Sequence, residues 1–245
     1  MSDIQTEEVT YTADGVEMKG YLAWHSDTEQ PRPGVLVAHE WWGCNEYAQR
    51  RARMLAEAGY TGMALDLYGD GRISANPDEA GILMNTRVVD MDGTRARFTA
   101  ALDSLKAHHT VDASRTGAIG YCFGGGVVTH MARMGVALNV VASFHGAIGL
   151  AAVDGPDHFD CRVMVYNGEA DILIDEGQIS GFKAAMDKTG AHYDFIQLPG
   201  ALHGFSNPMA TASGEKYGLP LAYNKFADES SWAHLRLTLQ HVFGQ

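Results

Sequence analysis

The sequence predicts an α/β fold, a mostly parallel central sheet with helices on both faces. Three observations lead there. Short apolar runs alternate with segments of helical periodicity along most of the 245 residues. The runs are continuously apolar, as in strands covered on both faces, rather than alternating apolar and polar. Glycine-rich turns link runs to helices, as strand–helix–strand crossovers require.

In chain order, Asp14-Gly15 marks the turn of an opening hairpin whose second strand runs from Val16 to Trp24. Gly34 to His39 is a buried strand, Tyr47 to Ala58 a helix closed by Gly59, and Thr61 to Asp66 the next strand. Asn76 to His109 reads as mostly helical, with Met91, Phe98, Leu102 and Leu105 forming a core-facing stripe. Thr116 to Gly120 is a strand that runs through a glycine-rich turn into a helix ending near Met134. Val136 to Phe144 and Arg162 to Tyr166 follow as strands. Then come a helix from Asp175 to Lys188, a strand from His192 to Leu198, and a C-terminal helix from Glu229 to Phe243. Ser206 to Gly218, rich in Asn, Pro, Ser and Gly, reads as a long loop. With no repeat or linker, residues 1–245 are expected to form one domain.

Charge narrows the function. The net charge of −12 disfavours contact with phosphate backbones, so no nucleic-acid partner is expected. No apolar stretch is long enough for a membrane helix. The segment from Met1 to Glu8 lacks the basic start and apolar run of a secretory signal, so a cytoplasmic location is expected. Cys44, Cys122 and Cys161 are too few and too scattered for a disulfide framework. No CxxC pair suggests a structural metal.

The most informative stretch is Gly120-Tyr121-Cys122-Phe123-Gly124-Gly125-Gly126, between a strand and a helix. That is the setting of a nucleophile elbow, G-x-S-x-G with cysteine in place of serine, and it makes the fold an α/β-hydrolase. No G-x-S-x-G occurs elsewhere. Glycines two residues on either side relieve the crowding of a strained turn, and the helix N-terminus favours a thiolate. The plain alternative is a buried structural cysteine.

A thiol nucleophile needs a histidine base oriented by a carboxylate, in this fold in the order nucleophile, acid, histidine. Asp171 in Asn167-Gly168-Glu169-Ala170-Asp171 and His203 in Leu202-His203-Gly204-Phe205 follow successive strands, where parallel sheets place functional residues. Asp171 also suits a helix N-cap, a role Asp175 fills equally well; Glu169 is the reserve acid. His39-Glu40-Trp41-Trp42-Gly43 ends the third strand, where the fold supplies a second oxyanion donor. The donors are therefore the backbone amides of Trp41 and Phe123. A metal held by His39, Glu40 and another histidine is the minor alternative, and no metal site is expected.

With these residues in view, the chain resembles the dienelactone hydrolase family over nearly its whole length. The resemblance rests on HEWWG, Ala64-Leu65-Asp66-Leu67-Tyr68, GYCFGGG, NGEAD, HGF, and Ala222-Tyr223-Asn224 leading to Trp232. It implies a cysteine hydrolase of small-molecule esters or lactones that works through an acyl-enzyme on Cys122. It further implies that Glu40 holds the thiol at rest until substrate displaces it, and that no cofactor is needed. The sequence departs from the family at Asn207, where the dienelactone enzyme carries a carboxylate-binding arginine; Arg72 and Arg87 are the cations at hand. Trp41, Trp42, Tyr68, Arg87, His145 and Phe205 are the candidate pocket residues. A monomer or small homo-oligomer is expected. The competing class is a thiol redox or electrophile-sensing protein built on Cys122, with Cys44 as its possible partner.

Overall fold

The computed structural model describes residues 3–27 and 30–244. Met1 and Ser2, where the N-terminal leader reading begins, lie outside them. The strands are β1 (Ile4–Ala13), β2 (Val16–His25), β3 (Arg32–Ala38), β4 (Thr61–Leu65), β5 (Val111–Tyr121), β6 (Val140–Phe144), β7 (Arg162–Gly168) and β8 (Tyr193–Leu198). They form an eight-stranded sheet in the order β1-β2-β4-β3-β5-β6-β7-β8. The helices are α1 (Glu46–Glu57), α2 (Pro77–Val89), α3 (Met91–Ala107), α4 (Phe123–Arg133), α5 (Glu176–Lys188), α6 (Ala210–Tyr217) and α7 (Lys225–Phe243). The chain divides into two compact units, Met1–Ala118 and Ile119–Gln245.

In the first unit β1 and β2 pair in full antiparallel register from Ile4↔His25 to Ala13↔Val16. β2 is antiparallel to β4, and β3 is parallel to β4. Every residue of β4, and all of β3 after Arg32, is buried. Consecutive burial means both faces are covered, which explains the unbroken apolar runs. β1 is mostly exposed and carries Glu7 and Glu8, charges that discourage edge-to-edge pairing.

In the second unit β6, β7 and β8 are parallel neighbours. β6 is buried throughout and β7 nearly so, while α4 packs on β6 and α7 on both. Asp175 caps α5 in a reciprocal capping box with Gln178, a device worth about 1 kcal/mol.

β5 begins at Val111 rather than at the expected Thr116, and three other boundaries differ from the sequence expectation, each for a local reason. β6 starts at Val140, not Val136, because Val136 closes the end of α4: its amide donates to Met131 O at 3.0 Å after Gly135 turns left-handed. The expected loop 206–218 contains α6, which Gly218 terminates in the left-handed region. α7 begins at Lys225, a turn earlier than expected, because the Asn224 side chain accepts from the Ala227 amide.

Candidate active site

β5 delivers Cys122 to the start of α4 with φ 54° and ψ −119°. For a residue with a Cβ this is strained, a cost of about 1–3 kcal/mol that the surroundings must hold in place. The Cys122 amide donates to Phe144 O at 3.1 Å, and the Cys122 carbonyl accepts from Ala147 N at 3.1 Å and Gly125 N at 3.0 Å. A Cβ on Gly120 would sit 2.1 Å from Gly124 O, and one on Gly126 would sit 2.4 Å from Ala147 O. Only glycine lets the turn close this tightly and lets α4 approach the loop after β6. Phe123 is the first residue of α4.

The loops after β7 and β8 are built together. The Ala170 amide donates to Ala201 O at 3.0 Å, and a Cβ on Gly168 would lie 2.3 Å from the same oxygen. This close seating brings Asp171 Oδ2 within 2.8 Å of His203 Nδ1, both side chains almost fully buried. Asp171 Oδ1 accepts from the Leu173 amide at 2.9 Å, which holds the carboxylate in orientation. Glu169, the reserve acid, instead accepts from the exposed Gly200 amide at 3.1 Å. His203 Nε2 is buried and makes no hydrogen bond of good geometry. The charge acting on the ring from that site is Cys122. Burial opposes a charged imidazole, but Cys122 and Asp171 outweigh it and raise His203 to about 10. Cys122 is the larger of the two influences that raise it, ahead of Asp171, so the site favours a charged imidazole.

A second histidine braces the first. His145 is fully buried, with φ 39°, and its ring meets His203 edge-on at 5.1 Å and Phe205 at 5.0 Å. Its Nε2 is hydrogen-bonded with Ser206 Oγ at 2.8 Å, on the same loop as His203. His145 and Phe205, expected as pocket residues, are thus packed behind the imidazole. The sequence reading missed Ser206, since nothing in a lone serine announces a partner 61 residues away.

In the first unit, Glu40 is buried just past β3. His39 Nδ1 donates to Glu40 O at 2.5 Å, and His39 Nε2 accepts from the Leu67 amide at 3.2 Å. Burial holds His39 below its ordinary pKa. With both ring nitrogens committed, this histidine has no lone pair for a metal, and among the described residues no cluster fit to hold a metal occurs. Trp41 O accepts from Tyr68 Oη at 2.8 Å, and the Trp41 and Trp42 rings are 4.9 Å apart. Arg87 pairs with Asp90 at 3.4 Å and lines a separate cavity with Asp14 and Arg97. Arg72 pairs with Asp70 at 3.7 Å. Of the three cysteines only Cys122 is not buried. Burial pushes the Cys44 thiol up, and that of Cys161 up to about 12, so neither is primed for redox chemistry.

A strained cysteine at a strand–helix turn and a buried Asp–His pair on successive loops are arranged as in an α/β-hydrolase. The dienelactone hydrolase family model matches residues 18–243. The chain belongs to the dienelactone hydrolase family. It is therefore an enzyme, a hydrolase of the ester and lactone class. A crystal structure of a dienelactone hydrolase-like promiscuous phosphotriesterase from metagenomic libraries superposes with a TM-score of 0.89. It is 29% identical, covering 98% of this chain and 99% of that one. A second solved structure, m3DLH, is 32% identical with a TM-score of 0.88 over 98% and 99% of the two chains. An Aquifex aeolicus protein provisionally named carboxymethylenebutenolidase is 25% identical over 81% of this chain and 86% of its own. No helix among the described residues is long and apolar enough to cross a membrane.

Proposed function

We propose that this family member hydrolyses carboxylic esters or lactones through an acyl-enzyme on Cys122, as a single α/β-hydrolase domain acting in the cytoplasm. The observation that carries the reading is the buried Asp171–His203 pair, whose free Nε2 is left to the strained Cys122. The thiolate attacks the carbonyl carbon, an S–C bond forms, and the π pair moves onto oxygen. Phe123 N–H at the head of α4, with the Trp41 amide, stabilises that oxyanion. Collapse expels the alkoxide, which takes the proton from His203 Nε2. The neutral imidazole then accepts a proton from water as the hydroxide attacks the thioester. The second collapse releases the acid and restores the thiolate–imidazolium pair. Asp171 holds Nδ1–H throughout and fixes the ring. Glu40 keeps the thiol at rest until substrate binds; this rests on the family resemblance.

The test is hydrolysis of p-nitrophenyl acetate, a dienelactone and plain lactones by wild type, Cys122→Ser and Cys122→Ala. Turnover should collapse in both variants while the circular dichroism stays native. Turnover retained in Cys122→Ala rules out the nucleophile.

A second reading follows from the likeness to the phosphotriesterase. The same thiolate attacks phosphorus of an uncharged aryl phosphotriester and expels the aryloxide. Release of p-nitrophenol from a diethyl aryl phosphate, absent in Cys122→Ala, supports it; no release above the buffer rate overturns it.

A further inference from the structure

The loops around the candidate triad bear carboxylates and no lysine or arginine. They are residues 121–126 after β5, 145–154 after β6, 169–175 after β7 and 199–209 after β8. Together they hold Asp154, Glu169, Asp171 and Asp175 and not one lysine or arginine. The lysines and arginines of this unit lie elsewhere, and six are engaged: Arg162 with Asp194, Lys188 with Asp154, Lys225 with Glu229, Arg133 with Pro156 O, Lys183 over the Phe195 ring and Lys216 over the Tyr217 ring. In the other unit Arg72 pairs with Asp70 and Arg87 with Asp90.

The same loops also expose large apolar side chains to solvent. Ile172 is 76% exposed and Leu173 46%, directly after Asp171; Met209 is 65% exposed, six residues past His203, and Val153 37% on the loop after β6. These are four of the six large apolar side chains exposed among the described residues of this unit. The polar side chains of the His203 loop are turned inward. Ser206 is spent on His145, and Asn207 Oδ1 accepts from the Met209 amide at 2.9 Å. An anionic substrate entering these loops meets no lysine or arginine carried by them and the exposed Glu169 and Asp175 carboxylates, whereas an apolar substituent meets aliphatic surface it can cover.

We propose that the substrate is an uncharged ester or lactone bearing an apolar substituent that seats on Ile172, Leu173 and Met209. This deepens the hydrolase reading and rests on it. No lysine or arginine of these loops recognises a substrate carboxylate, and selectivity comes from covering apolar surface.

The test is a matched pair of p-nitrophenyl esters of succinate, one with its distal carboxyl methylated and one with it free. kcat/KM is measured on the full chain at 20 mM and 200 mM NaCl. The methylated ester should be preferred by roughly ten-fold or more at low salt, with the gap narrowing as salt screens the carboxylates. Along a p-nitrophenyl acetate-to-hexanoate series, kcat/KM should rise by about two- to four-fold per methylene. Ile172→Lys, an exposed position that folding tolerates, should shrink both preferences. Equal or better use of the free carboxylate, or no dependence on chain length, overturns the proposal. Absence of any thiol-dependent ester hydrolysis defeats the hydrolase reading instead, so the two failures are distinguishable.

Discussion

Two buried aspartates, Asp66 after β4 and Asp171 after β7, occupy equivalent places in the two units and do opposite work. Asp66 accepts from four backbone amides, those of Lys19, Tyr68, Gly69 and Gly71, at 2.8–3.2 Å. Its oxygens are saturated by donors that cannot move, and Arg97 pins the same loop through Leu67 O at 3.0 Å. Asp171 accepts from one amide, which leaves Oδ2 for an imidazole. Burial alone therefore does not distinguish the two carboxylates; what sets Asp171 apart is its pairing with an imidazole.

The sharpest way to break this contrast is to blunt each carboxylate in turn. Asp171→Asn should lower kcat by on the order of 10³–10⁴-fold, because the amide no longer holds the imidazole tautomer. Its melting temperature should move little, and a steady-state assay beside a thermal melt reads both. Asp66→Ala should do the reverse. Four amides lose their acceptor, at a cost of about 3–5 kcal/mol in a denaturant titration, while kcat per folded molecule stays within a few-fold. If Asp66→Ala proved as inactive as Asp171→Asn while still folded, the division of labour would be wrong.

The imidazole sharpens the comparison through pH. His203 is raised to about 10 in the folded chain from an ordinary 6.5. The stabilisation from its charged form is therefore complete below about 6.5 and is lost as pH rises through 10. Wild-type melting temperature should fall across that window. In Cys122→Ser, which lacks the sulfur that raises the ring, the His203 titration followed by NMR should move down from about 10. A titration unchanged in the variant would mean that Cys122 does not set it.

Smaller effects are expected from the bracing groups. Ser206→Ala leaves His145 Nε2 without its partner and should lower kcat about ten-fold with KM nearly unchanged, since it loosens His203 rather than substrate. The test is a kcat and KM split, and Ser206→Thr should restore much of the loss. Glu169→Gln should be close to neutral in both rate and stability, because an exposed amide–carboxylate contact contributes only a few tenths of a kcal/mol.

The first unit was legible from apolar periodicity, because β3 and β4 are covered on both faces and read as unbroken runs. The elbow was legible because sterics admit glycine alone at Gly120, so the constraint is written into the local sequence. α6 was not legible: eight residues with Ala, Ser and Gly have little propensity of their own, and the helix stands because Gly218 caps it and a Cβ-free Gly214 lies under Leu221 O. The Asp66 cradle carried a usable signal, an Asp ahead of Gly69-Asp70-Gly71, the mark of a side chain folding back on a turn.

By itself, then, the sequence determined the fold class and the family, and it nominated Cys122, Asp171 and His203 as the candidate triad. Each of these rests on a short-range pattern: periodicity, glycine spacing, or the residue that follows a strand. Tertiary structure alone decided that Asp171 rather than Glu169 meets the imidazole, and that His145 and Ser206 stand behind it. Those pairings join residues 32 and 61 positions apart. They exist because parallel strands bring distant loops to one end of a sheet, which no local pattern records.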